Sequence, residues 1–163
     1  MARRVFYSFH YELDYWRTSQ VRNIGIVSGN RPCKDNNWEK IRQGGKRAIR
    51  AWIDEQLTSR SCTIVLIGAK TAGREFIDYE IERSWKRGLG LVGIHIHKLL
   101  DTSRRPSKQG KNPFADWAID GVPLSKIVRA YNPTKRTSKG AYNFIASNLG
   151  SWVEEAIAIR KQF

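Results

Sequence analysis

Apolar positions along the 163 residues fall into two patterns, unbroken runs and stripes at helical spacing. Three segments are of the first kind. RRVFYSFHY, residues 3–11, is rich in aromatic and β-branched side chains and predicts a buried first strand that ends in the polar HYELD. CTIVLIG, residues 62–68, is apolar without alternation, which predicts a central strand covered on both faces. LVGIHIH, residues 91–97, predicts a third strand of the same kind. Between the last two, GREFIDYEIERSWKRG has helical periodicity and predicts a helix from about Arg74 to Arg87. Gly88 stands at its C-terminal cap, with Lys86 and Arg87 complementing the dipole. Strand, helix and strand in short succession form a parallel βαβ unit.

The flanks follow the second pattern. DYWRTSQVRNIGIVSG predicts a short helix closing near Gly25, followed by a loop to about Asn37. Trp38, Ile41, Ala48, Ile49, Trp52, Ile53 and Leu57 keep helical spacing, predicting a long amphipathic helix over 38–59 with a bend at Gly44 and Gly45. Residues 99–123, rich in Pro, Gly and Lys, predict a basic surface-loop insertion. After the short apolar segment LSKIVRAYNP, the stripe Ala141, Phe144, Ile145, Leu149, Trp152, Val153, Ala156 and Ile159 predicts a closing helix over about 139–161. No internal repeat or low-complexity tract divides the chain. The expectation is one α/β domain over 1–163, with a mostly parallel sheet flanked by helices.

One position breaks the pattern. At 100° per residue, Glu80 falls on the inward stripe with Phe76, Ile77 and Ser84, while Glu75, Asp78 and Glu82 point to the opposite side. Such an acid is either satisfied within the structure, placed at the helix boundary, or the working end of a site. Doubly wound sheets bind ligands outside the carboxyl ends of their strands. Those ends are Ser8, Phe9 and His10 after the first strand, residues 68–71 after the second, and His97 after the third.

Composition narrows the chemistry. The net charge of +14, from 29 basic and 15 acidic residues, attracts phosphates of any kind. The cations are spread along the chain without zinc-finger, RNP or helix-turn-helix spacing, so nucleic acid is not specifically indicated. The two cysteines, Cys33 and Cys62, build neither a disulfide framework nor a four-cysteine zinc site and are expected as reduced thiols. His95 and His97 share a strand face, but only His10 could join them, and no metal site is expected. GLGLVG, residues 88–93, has the letters of a dinucleotide fingerprint in reversed context, leaving a helix and entering a strand. No phosphate-binding loop of the G-x-x-x-x-G-K-[ST] type occurs, and CTIVLIGAK lacks the aspartate of a phospho-receiver strand. With no long apolar stretch and no secretory leader, the expected setting is cytoplasmic, away from membranes.

On VFYSFHYELD and on CTIVLIG…GREFIDYEIERSWKRGLGLVGIHI, together covering about residues 3–98, the chain resembles the TIR-like proteins of the Thoeris antiphage-defence system. The resemblance implies a flavodoxin-like TIR fold and cleavage of NAD, as substrate, between nicotinamide and ribose, with no cofactor. It implies that Glu80 is the catalytic acid and that Ser8, Phe9 and His10 line the substrate pocket. Phe76 stands where catalytic TIR domains often carry tryptophan. It further implies a cyclic ADP-ribose-type signal that activates a partner Thoeris effector, and self-association on activation. Two other readings stay open: a non-enzymatic adaptor acting by self-association, and a basic nucleic-acid-binding domain.

Overall fold

A computed structural model of the chain describes residues 2–29 and 41–163. Strands Val5–Ser8 (β1), Cys62–Ile67 (β2) and Gly90–His95 (β3) are buried at every position, as parallel strands covered on both sides must be. β1 pairs with β2 and β2 with β3, both in parallel, which sets Ser8 level with Val65 and Cys62 level with Gly90. Two short strands, Ala118–Ile119 (β4) and Val122–Pro123 (β5), form a separate antiparallel hairpin. A further parallel strand, Ala130–Tyr131 (β6), extends the main sheet beyond β3.

On the far side of β1, Ser28 bridges Arg4 in parallel. The Val5 N–H donates to the Ser28 carbonyl at 2.8 Å and the Ser28 N–H to the Arg3 carbonyl at 2.9 Å. The Arg4 carbonyl instead accepts from the Ser61 N–H on the β2 side, at 2.8 Å. The chain therefore passes first to one side of β1 and later to the other. The gap between β1 and β2 is a topological switch point, where doubly wound sheets open a crevice at the carboxyl ends of their strands.

Helices cover both faces. Val21 of Tyr11–Arg22 (α1) and Ile145, Leu149 and Trp152 of Ser138–Arg160 (α4) pack on the face that carries Tyr7, Ile64 and Ile94. On the opposite face, Ile49, Ile53 and Leu57 of Gly45–Leu57 (α2) meet Phe6. There Ile77, Ile81 and Trp85 of Glu75–Lys86 (α3) meet Val65, Ile67 and Leu91. Strand side chains alternate, so Ser8 shares the face of Phe6 and is delivered toward α3.

The expected α/β architecture holds, with four corrections of detail. The first strand stops at Ser8 rather than running to residue 11, because His10 caps α1: its Nδ1 accepts from the Leu13 N–H at 3.3 Å. HYELD thus opens a helix instead of closing a strand. Of the helix expected over 38–59, residues 38–40 lie outside the described residues. Residues 41–43 are helical, Gly44 is a turn, and α2 starts at Gly45, whose φ of +79° suits glycine. The 99–123 insertion is not only surface: Gly110 and Pro113 are buried, and Phe114 sits in the core beside Val65 and Ile67. Its hairpin turns on Asp120 and Gly121, both at positive φ, the backbone that a tight Asp-Gly hairpin turn requires. Finally, LSKIVRAYNP contributes β6, a strand its short apolar run did not announce. The closing helix is as expected, started by Thr137, whose hydroxyl accepts from the Gly140 N–H at 3.0 Å. Cys62 is a buried free thiol, and Cys33 lies outside the described residues. Among the described residues no helix is long and apolar enough to cross a membrane.

Candidate active site

At the switch point the Ser8 hydroxyl donates a short hydrogen bond to Glu80 Oε2. The two side chains are 1% and 8% exposed. The bond joins the last residue of β1 to the second turn of α3. One turn further along α3, the Ser84 and Thr63 hydroxyls lie 2.7 Å apart. Each polar residue on the inward stripe of α3 is therefore matched by a hydroxyl on the sheet, which is how a helix with acid and serine on its buried face can pack at all. Ser84 is fully enclosed, but Glu80 also borders a cleft of about 460 Å³.

Burial raises the pKa of Glu80 to about 8, and the Ser8 hydrogen bond opposes the shift. Burial and the Ser8 hydrogen bond are the causes acting on Glu80, and the neighbouring Arg83 is occupied elsewhere. Arg83 Nε pairs with Asp54 of α2 at 3.0 Å, a carboxylate that also accepts from the Tyr79 hydroxyl.

His10 is buried rather than solvated, at 6% exposure. Burial lowers its pKa, the charge of Arg74 lowers it further, and Asp14 works the other way. The ring is thus neutral near neutral pH. Because Nδ1 accepts the helix-cap bond, the remaining proton sits on Nε2, leaving a hydrogen-bond donor. Phe9 is half-buried with its ring centroid 6.1 Å from that of Tyr11, and Phe76 is half-buried against the Phe6 and Ile49 cluster. Phe9, His10, Phe76 and Glu80 all line the cleft, and Ser8 lies beneath it, bonded to Glu80. Of the strand-end and helix positions named from the sequence, Phe9, His10, Phe76 and Glu80 thus border one cleft and Ser8 reaches it only through Glu80, whereas residues 68–71 and His97 do not line it.

The structure also adds residues the sequence did not nominate. Tyr11 and Glu12 enter with the first turn of α1, Ile49 with α2, and Arg42 and Arg74 at the rim. Recognising His10 as a helix cap would have found the first two. Nothing local marks Ile49, whose place follows from how α2 lies on the sheet. His95 and His97 stand at the end of β3, both buried, with rings 6.0 Å apart; burial and His97 depress the pKa of His95 to about 4. Among the described residues no group of three or more His, Cys, Asp or Glu is placed to hold a metal ion.

The family model described as "Thoeris protein ThsB, TIR-like domain" matches residues 6–101, a span that holds most of β1, all of α3 and β3, and both partners of the Ser8–Glu80 bond. A Bacillus cereus (strain MSX-D12) protein named "Putative cyclic ADP-D-ribose synthase ThsB1" is 35% identical over 120 residues, covering 70% of this chain and 62% of that relative. The chain thus spans about three fifths of the length of the curated relative it matches. With its parallel sheet, its switch-point cleft and the matched segment in register with both, the chain belongs to the Thoeris ThsB TIR-like family.

Proposed function

We propose that this protein cleaves NAD at the bond between nicotinamide and ribose, with Glu80 as the catalytic carboxylate. The observation that carries this reading is the buried Glu80 carboxyl, held by Ser8 at the switch point and open to a cleft lined by Phe9, His10 and Phe76. Glycosidases that expel an alkoxide need an acid to protonate it. NAD instead expels neutral nicotinamide from a pyridinium: the C1′–N bond breaks, its electron pair returns to the ring, and no proton has to be delivered. One anion is enough. It holds the ribose hydroxyls and stabilises the positive charge that grows on the ribose as the bond lengthens. The aromatic side chains supply apolar faces for the nicotinamide and exclude water.

The nucleophile that fills the vacated bond to C1′ decides the product. Water, losing a proton to solvent, gives ADP-ribose. A hydroxyl or ring nitrogen of the same nucleotide gives a cyclic ADP-ribose-type molecule. We favour the cyclic product, in keeping with the name of the Bacillus cereus relative, and take it to be a signal that activates a partner effector. Self-association on activation belongs to the same reading.

The test is mass spectrometry of nucleotides in phage-challenged cells carrying this protein or its Glu80→Gln variant, with folding of both confirmed. NAD loss and a new ADP-ribose-type species in the parent, reduced on the order of a hundredfold or more in the variant, is the expected result. An unchanged nucleotide pool in both, across several phages, would replace the enzyme with the adaptor that acts by self-association.

A further inference from the structure

Taking the cleavage reading as given, we infer that Arg74 anchors the diphosphate of the dinucleotide substrate. The charges around the cleft lead to it. Glu75 is engaged by Lys46 at 3.0 Å and Arg50 at 3.1 Å, Asp54 by Arg83 at 3.0 Å, and Glu12 lies 3.9 Å from Arg42. Of the two arginines that line the cleft, Arg42 and Arg74, the guanidinium of Arg74 makes no hydrogen bond or ion pair among the described residues, and the residue is exposed.

The charge of Arg74 nevertheless reaches into the site. It is felt by the buried His10, across the cleft on the cap of α1, and it disfavours a second positive charge there. A guanidinium with no anionic partner contributes nothing to the fold by pairing. Such local disagreement with stability is expected where a ligand supplies the missing partner. The missing partner is an anion. A planar guanidinium with paired donors matches two phosphate oxygens better than it matches a single carboxylate oxygen in water.

The spacing fits a ligand that carries its phosphates one ribose away from the bond to be broken. Arg74 caps α3 and Glu80 lies six residues on, roughly 9 Å along the helix axis at 1.5 Å per residue. Helical side chains lean toward the N-terminus, so the Glu80 carboxyl tilts back toward the Arg74 end. Arg42, weakly held by Glu12 across 3.9 Å between exposed side chains, is available as a second cation. Binding energy gathered at the phosphates then fixes the reacting ribose over the carboxyl. That makes Arg74 a positioning residue for the chemistry at Glu80.

The experiment is calorimetric titration of the full chain with ADP-ribose, which has the diphosphate but no bond left to cleave, and with adenosine, which has no phosphate. Arg74→Gln and Arg74→Lys are compared with Lys86→Gln, a surface control whose lysine pairs with Glu82 outside the cleft. Arg74→Gln is expected to weaken ADP-ribose binding about tenfold or more, with partial recovery in Arg74→Lys, no change for adenosine, and a shallower dependence of affinity on salt. Equal binding by Arg74→Gln and the control overturns the proposal, and so does a parent protein that does not bind ADP-ribose. Arg74-dependent binding without NAD loss would keep the anchor and sink the cleavage reading. NAD loss with Arg74-independent binding would do the reverse.

Discussion

Glu80 keeps its proton to about pH 8 because packing of α3 on the sheet takes water away from the charged form. The Ser8 hydroxyl, which favours the anion, offsets only part of this. If the carboxylate is the form that stabilises the growing ribose cation, kcat/KM for NAD rises with pH along a limb centred near 8, since that parameter reports the free protein. A profile flat from about pH 6 to 9 would contradict it. Ser8→Ala removes the bond that lowers the pKa, so the same limb should move to higher pH. Stability carries a second signature. An unfolded chain loses this proton near the ordinary value of 4.5, whereas the folded chain holds it to about 8. The ionisation cost of burying Glu80 is therefore absent below 4.5, grows as pH climbs through the window, and is complete above 8. Glu80→Gln should be more stable than the parent by on the order of a few kcal/mol at alkaline pH, with the gap closing in acid. Thermal melts at both ends of the range check this, and a gap independent of pH would refute it. Glu80 was legible as a candidate because an acid on an apolar stripe is visible in one segment. Its raised pKa was not legible, since burial depends on what covers the helix.

At the scale of elements, the sheet and α4 are joined by close backbone approach. A methyl group added at Gly90 would lie 2.8 Å from backbone atoms of Ala156 and Ile157. Gly90→Ala must push α4 off β3 and should cost roughly 1–3 kcal/mol, read as a lower denaturant midpoint with an unchanged slope. The elements read correctly from the sequence are those whose burial writes a long periodic signal. β2 and β3 appear as apolar runs, and α3 and α4 as stripes. The elements that were missed are short or depend on a single contact. β6 has two residues and exists because Gly93 and Ile94 offer an open edge. The end of β1 is set by one cap at His10, and a nine-residue aromatic run conceals it. Phe114, in an insertion whose composition is that of a solvated loop, is buried against Val65 and Ile67, and the Asn112 side chain fixes the local turn by accepting from the Phe114 N–H at 2.9 Å.

Across the whole molecule, the +14 charge acts as a field rather than as contacts. For an anionic dinucleotide entering a cleft rimmed by Arg42 and Arg74, it should raise the encounter rate and lose effect with salt. The expectation is a fall in kcat/KM for NAD of severalfold as salt goes from about 0.05 to 0.5 M, with kcat nearly constant. Salt-independent kinetics would assign the charge to another purpose. The sequence by itself determined the order of the three long strands and the four helices and the presence of an acid on an inward-facing stripe, because periodicity is a property of each segment alone. Tertiary structure alone decided that Ser8 and Glu80, 72 positions apart, share a hydrogen bond, and that Arg42, Ile49 and Arg74 border the same cleft. These facts follow from how β1, α2 and α3 are set against one another and from the water they exclude, and no single segment encodes either.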